Sequence, residues 1–147
     1  AEKGKMYHDQ LLYLIDEDTN AFNKIMDAFG LPKGSDAEKA ARKNAIQEAT
    51  RYAIEIPFRV MKACYESMKV MKVMAETGNP NSVTDAGVGA LAARSGVMGA
   101  YLNVKINAGS LDDKSFVDKI IAEGADIQEK TLQLEKEILA IVESKMK

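Results

Sequence analysis

Asp85-Ala86-Gly87-Val88-Gly89-Ala90-Leu91-Ala92-Ala93-Arg94-Ser95-Gly96-Val97-Met98-Gly99-Ala100 is the stretch whose reading decides the fold. Ten of its sixteen residues are Gly, Ala or Ser. Gly89, Ala93, Gly96 and Ala100 recur at spacings of four, three and four, which puts them in one helical stripe. A glycine inside a helix costs about 1 kcal/mol relative to alanine, so a run of this kind implies close approach of another backbone or of a ligand. It predicts a central helix surrounded by others, opening at Ser82 to Thr84 and ending at Asn103 or Asn107. Gly87-Val88-Gly89-Ala90-Leu91-Ala92 also fits the loose dinucleotide pattern G-x-G-x-x-A, but that fingerprint needs a preceding strand. The residues ahead of it are a loop and a methionine-rich helix. Arg94 argues against a membrane span.

Three further helices are predicted around this one, and no strand. The first runs from Glu2 to Phe29, with Leu11, Leu12, Leu14, Ile15, Phe22, Ile25, Met26 and Phe29 at three- and four-residue spacing. Gly30, Pro32 and Gly34 break it. The second starts after Ser35, which forms a capping box with Glu38, and continues to Glu76. Pro57 lies inside it, so a kink or break is expected near Glu55 and Ile56. Thr77-Gly78-Asn79-Pro80-Asn81 is the clearest loop. The fourth runs from Leu111 to Met146, with Ser110 and Asp113 as its start signal. Ile120, Gly124, Ile127, Thr131, Leu134, Ile138 and Ile141 give it a narrow seam for another long helix or a second subunit.

Composition agrees with a single all-α domain. The chain has 147 residues and 16.1 kDa, 46% hydrophobic and 29% charged, with no Trp, three Pro and eight Met. That length buries roughly 68–70% of the unfolded surface. Twenty basic residues stand against twenty-two acidic ones, for a net charge of −2 and a pI near 5.5, which disfavours a nucleic-acid binder. One cysteine excludes an internal disulfide and a Cys-based zinc site, and one histidine excludes paired-His metal motifs. No charge-free run could span a bilayer and no signal-peptide pattern occurs, so a soluble cytoplasmic protein is expected.

Few residues stand out as chemistry. Cys64, with Met61 and Met68 on its face, reads as an inert core thiol, and His8 as a surface residue. Asp16-Glu17-Asp18 is more informative, because adjacent helical residues differ by about 100° and all three acids cannot face solvent. Asp18 lies four residues from both Leu14 and Phe22 and shares their stripe. Desolvation there would favour a protonated carboxyl suited to proton donation; the bland alternative is an acid paired with a lysine or capping a helix. Asn79, Asn81 and Asp85 frame the loop before the central helix, where turn and cap roles could account for them. Asn103 interrupts the apolar run Tyr101 to Val104, and a buried amide needs partners. Asn107 lies four residues on, on the same face. Lys33, after the first helix, could meet an anion or remain a solvated loop lysine.

Leu14-Ile15-Asp16-Glu17-Asp18-Thr19-Asn20-Ala21-Phe22, Leu31-Pro32-Lys33, Ile56-Pro57, Gly78-Asn79 with Thr84-Asp85, and Gly99-Ala100-Tyr101-Leu102-Asn103-Val104 followed by Ile106-Asn107 together resemble the cyclodeaminase family. That family comprises formiminotetrahydrofolate cyclodeaminases and related methenyltetrahydrofolate cyclohydrolases. The stretches occur in the family's order over residues 11 to 110. The resemblance implies an all-helical fold with a buried central helix, a homodimer or higher homo-oligomer, and an association with a formiminotransferase. It implies conversion of 5-formiminotetrahydrofolate to 5,10-methenyltetrahydrofolate and ammonia, in one-carbon metabolism and histidine degradation. The tetrahydrofolate derivative is the substrate and no metal or other cofactor is needed. The resemblance makes Asp18 the general acid, and on the enzyme reading Lys33, Asn79, Asn81, Asp85 and Asn103 are expected to bind the substrate. Cyclohydrolase action, with water attacking the methenyl carbon, is one alternative, and a non-catalytic folate-binding or dimerisation module another. Family members also carry a glycine- and serine-rich segment and a helix ahead of this region. Nothing similar precedes Ala1, so we expect residues 1–147 to form one domain lacking it.

Overall fold

The computed structural model describes residues 2–146. Four α-helices, α1 (Glu2–Gly30), α2 (Asp36–Thr77), α3 (Val83–Ala108) and α4 (Lys114–Lys145), account for nearly all of them, with a short 3-10 turn at Pro80–Ser82. No strand occurs among the described residues, and no helix there is long and apolar enough to cross a membrane. The all-α reading holds.

The caps explain most boundaries. Ser35 Oγ accepts from Glu38 N at 3.2 Å, and Glu38 Oε2 accepts from the backbone N–H groups of Ser35 and Gly34, both at 2.8 Å. This closes the expected capping box at the start of α2. At α4 the expected start is corrected: the cap is Asp113, whose Oδ1 accepts from Phe116 N at 3.1 Å, and the helix begins at Lys114 rather than Leu111. Ser110 lies in the loop, where its carbonyl accepts from Gln47 Nε2 at 3.1 Å. Gln47 Oε1 accepts in turn from Asp112 N at 2.7 Å. Of the kink or break expected at Pro57, the break is corrected, because α2 runs through it without interruption.

α2 is the organising element. α1 packs chiefly against α2, while α3 and α4 pack against α2 and each other. The main core joins Ile54, Phe58 and Met61 of α2 to Val97, Tyr101 and Val104 of α3 and to Ile120 and Ile127 of α4. A second cluster continues it through Met68, Ala90, Ile138 and Val142. The α4 seam thus finds its partners within the chain. A third cluster, Leu14, Ala21, Ala53 and Ile56, seats α1 on α2. The small residues of α3 act as expected on this inner side, with Ala93 and Ala100 buried and Gly89 against the Met71 side chain. The outer side of α3 carries exposed Val88, Leu91, Leu102 and Ile106.

The apolar set of α1 divides into two stripes. Leu14, Ala21 and Ala28 meet α2, whereas Leu12, Ile15, Phe22, Met26 and Phe29 stand outward, Phe22 at 62% exposure. The two stripes adjoin on the helix, so periodicity alone does not select the one that meets α2.

Candidate active site

A cleft of about 470 Å³ opens between α1 and α3, over α2. Asp18 and Thr19 of α1 border it on one side, and Gly96, Ala100 and Asn103 of α3 on the other. Leu11, Leu14, Ile15, Pro57 and Val60 complete its apolar lining. Gly96 is required where it stands, because a Cβ there would come within 2.8 Å of Cys64 Sγ. Cys64 itself is buried, and burial pushes its thiol pKa up, so it is a packing residue as expected. The site's polar groups are few: a carboxyl, an amide and the Thr19 hydroxyl, which donates to Ile15 O at 3.3 Å. A carboxyl can carry a proton to or from a bound nitrogen, and an amide can both donate to and accept from a heterocycle.

The expected burial of Asp18 is corrected. Its side chain is exposed at the rim of the cleft, because the stripe it shares with Phe22 faces outward. The acid drawn inward is Glu17, which is half-buried and accepts a hydrogen bond from the Tyr52 hydroxyl of α2. That bond holds the Glu17 carboxyl below its ordinary range and pushes Tyr52 up to about 12. Lys24 Nζ lies 3.9 Å from the centre of the Tyr52 ring. The three consecutive acids therefore diverge: Asp16 to solvent, Glu17 to Tyr52, Asp18 to the cleft. Asn103 is exposed at the cleft and not buried within the apolar run around it.

The remaining candidates lie apart. Asn79 and Asp85 border a second, more apolar cleft of about 610 Å³ with Tyr7, His8, Met71, Met74 and Gly89. Leu11 borders both clefts, so they meet there. Asn79 also caps the 3-10 turn, its Oδ1 accepting from Asn81 N at 3.0 Å. Asn81 is exposed and borders neither cleft; Lys33 is exposed in the α1–α2 loop and also borders neither. The structure thus brings Asp18 to Asn103 and Asn79 to Asp85, and leaves Lys33 and Asn81 outside. Sequence reasoning missed Thr19, Gly96 and the Glu17–Tyr52 pair. Gly96 had a signal in the small-residue stripe, but Tyr52 had none. No group of three or more His, Cys, Asp and Glu side chains able to hold a metal occurs among the described residues.

Fold and cleft together define a helical domain with an acid on α1 and an amide on α3 bordering one interhelical groove. The chain belongs to the formiminotransferase-cyclodeaminase family, whose model matches residues 1–126. It is 38% identical to the methenyltetrahydrofolate cyclohydrolase of Methylorubrum extorquens, over 99% of this chain and 70% of that protein. It is 34% identical to the formimidoyltransferase-cyclodeaminase of Mus musculus, over 75% of this chain and 20% of that protein. The solved formiminotetrahydrofolate cyclodeaminase from Thermotoga maritima shares the fold, with a TM-score of 0.82. That match has 21% identity and covers 95% of this chain and 66% of the other.

Proposed function

We propose that the chain acts on a tetrahydrofolate carrying a one-carbon unit at N5, with Asp18 as the proton-transfer group, and that its reaction is that of a cyclodeaminase. The observation that carries this reading is the Asp18–Asn103 cleft in a chain of this family. In the forward step N10 bonds to the formimino carbon and the bond from that carbon to the imino nitrogen breaks. The departing nitrogen takes up the proton that N10 sheds and one more from the enzyme and leaves as ammonia, while the methenyl carbon bridges N5 and N10 and carries the positive charge. Binding N5, N10 and the one-carbon unit in one rigid substrate makes the attack intramolecular, which lowers much of the barrier by proximity. Asp18 supplies the proton to the leaving nitrogen. Asn103, across the cleft, hydrogen-bonds the pterin edge. Ile15, Pro57 and Val60 lie against its flat faces, so that bound substrate shields the carboxyl from competing water. The step needs no metal or redox group. The second cleft, joined through Leu11, extends the groove for the rest of an elongated folate.

Cyclohydrolase action is the second reading, favoured by the 38% identity to the Methylorubrum cyclohydrolase over nearly the whole chain. Water would then add to the methenyl carbon and one carbon–nitrogen bond would open, with Asp18 serving the nitrogen that leaves. Each substrate is offered separately, with methenyltetrahydrofolate followed by its absorbance and ammonia by a coupled assay. Formation of methenylfolate with one ammonia per turnover supports the first reading. Consumption of methenylfolate without ammonia supports the second. Neither reaction from the intact protein overturns both.

A further inference from the structure

Proline 57 sits in the middle of α2, and it has no N–H to give to the carbonyl of Ala53 one turn earlier. That carbonyl is nevertheless paired: Asn107 Nδ2 of α3 donates to Ala53 O at 3.0 Å. The pair is partly buried, Ala53 belongs to the α1–α2 core, and Pro57 borders the Asp18 cleft. Asn107 lies one turn beyond Asn103 on the same face of α3. One side-chain amide therefore replaces a missing helix hydrogen bond and fixes α3 against α2 beside the cleft.

We propose that Asn107 is a positioning residue for this cleft, setting where Asn103 and Pro57 stand relative to Asp18 by taking over the hydrogen bond that Pro57 cannot make. This rests on the folate reading for its catalytic consequence, although the hydrogen-bond exchange itself does not. Asn107 does not touch the space in which a substrate would lie, so its effect travels through the backbone of α2 and α3. Displacement of the acid–amide pair by a fraction of an ångström acts on turnover more than on affinity, because proton transfer depends on geometry more steeply than apolar contact does.

A double-mutant cycle tests this. N107L keeps the side-chain size and removes the donor. P57A restores a backbone N–H at position 57 that can bond Ala53 O directly. In the native background N107L is expected to lower kcat on the order of tenfold with KM nearly unchanged. In the P57A background the same substitution is expected to change kcat less than about twofold, because the carbonyl then has its own helical partner. Urea unfolding of the four proteins should show the same non-additivity. Equal losses from N107L in both backgrounds overturn the proposal, as does a native N107L with unchanged kcat. If N107L does not fold, P57A/N107L is the deciding protein: recovery of a folded chain supports the proposal, and failure to fold overturns it. A native chain without folate turnover removes the functional reading and with it the catalytic role; the urea cycle still reads the exchange, where additivity overturns it.

Discussion

The ring of Tyr101 on α3 lies across Gly124 on α4, and the Tyr101 hydroxyl donates to the Ile121 carbonyl at 2.9 Å. A Cβ at 124 would stand 2.8 Å from Cδ2 of the ring and closer still to its edge. Only glycine lets the two helices approach so far, which explains a residue of poor helix propensity inside the α4 seam. Gly124→Ala is expected to destabilise the chain by about 1–3 kcal/mol through overpacking. The measurement is the urea midpoint at unchanged slope. A midpoint equal to the native one would mean that Tyr101 moves aside at no cost.

Asp18 carries the functional reading, and its exposure makes the test clean. Asp18→Asn removes an acid and changes no core contact, so stability should stay within about 0.5 kcal/mol of native. Turnover should fall by roughly a hundredfold or more, the usual scale of a lost general acid. Asn103→Ala should raise KM with a smaller effect on kcat, while Lys33→Ala and Asn81→Ala, outside both clefts, should leave KM within about twofold. Native-like turnover by Asp18→Asn would falsify the assignment of the proton donor.

The Glu17–Tyr52 bond has a pH signature at both ends of the scale. Tyr52 titrates near 12 in the folded chain against 10.0 for an ordinary tyrosine. The folded state therefore holds the proton more tightly, and stability from this group is complete below pH 10 and lost as pH rises toward 12. The Glu17 carboxyl is held low by the same bond. Its contribution is complete above the ordinary carboxylate value of 4.5 and lost as pH falls through the depressed one. Ultraviolet titration of the phenolate band should show one of the five tyrosines ionising late. Glu17→Gln should bring that tyrosine back toward 10, and Tyr52→Phe should flatten the acid limb of the stability curve. A native titration without a late tyrosine would contradict the pairing.

The helices were legible because each one repeats its apolar residues at three and four, and because Ser35 with Glu38 and the Gly78–Asn79 loop mark their ends. The seam from Ile120 to Ile141 was legible for the same reason. Burial of Asp18 was not. Angular arithmetic gives its neighbours on α1 but not which of two adjoining apolar stripes α2 covers, and that depends on the shape of α2. Pro57 is a related case: a lost helical hydrogen bond predicts a kink or a break, and α2 continues without a break while Asn107, from a distant part of the chain, pairs the freed Ala53 carbonyl. The meeting of Asp18 with Asn103 is likewise tertiary. No spacing rule reaches from α1 to α3, so each residue stands out on its own helix without any sign that the two border one cleft.

In the sequence Arg94 speaks only against a membrane span, and its structural role is specific. Its Nε donates to Glu135 Oε2 at 3.2 Å, and Glu135 is the one charged residue buried among the described residues, at 8% exposure. The guanidinium remains half in water, so its own dehydration costs little, whereas the carboxylate depends on it. Arg94→Met should therefore cost about 2–3 kcal/mol, chiefly by leaving an unpaired buried acid. Removing the acid as well, in Arg94→Met/Glu135→Leu, should recover most of that loss, because an apolar pair fits between the small residues of α3 and the α4 seam without a stranded charge. Chemical unfolding of the single and double variants at pH 7 decides the matter. If the double variant is as unstable as Arg94→Met alone, the loss arises from the packing of the arginine stem rather than from the stranded carboxylate.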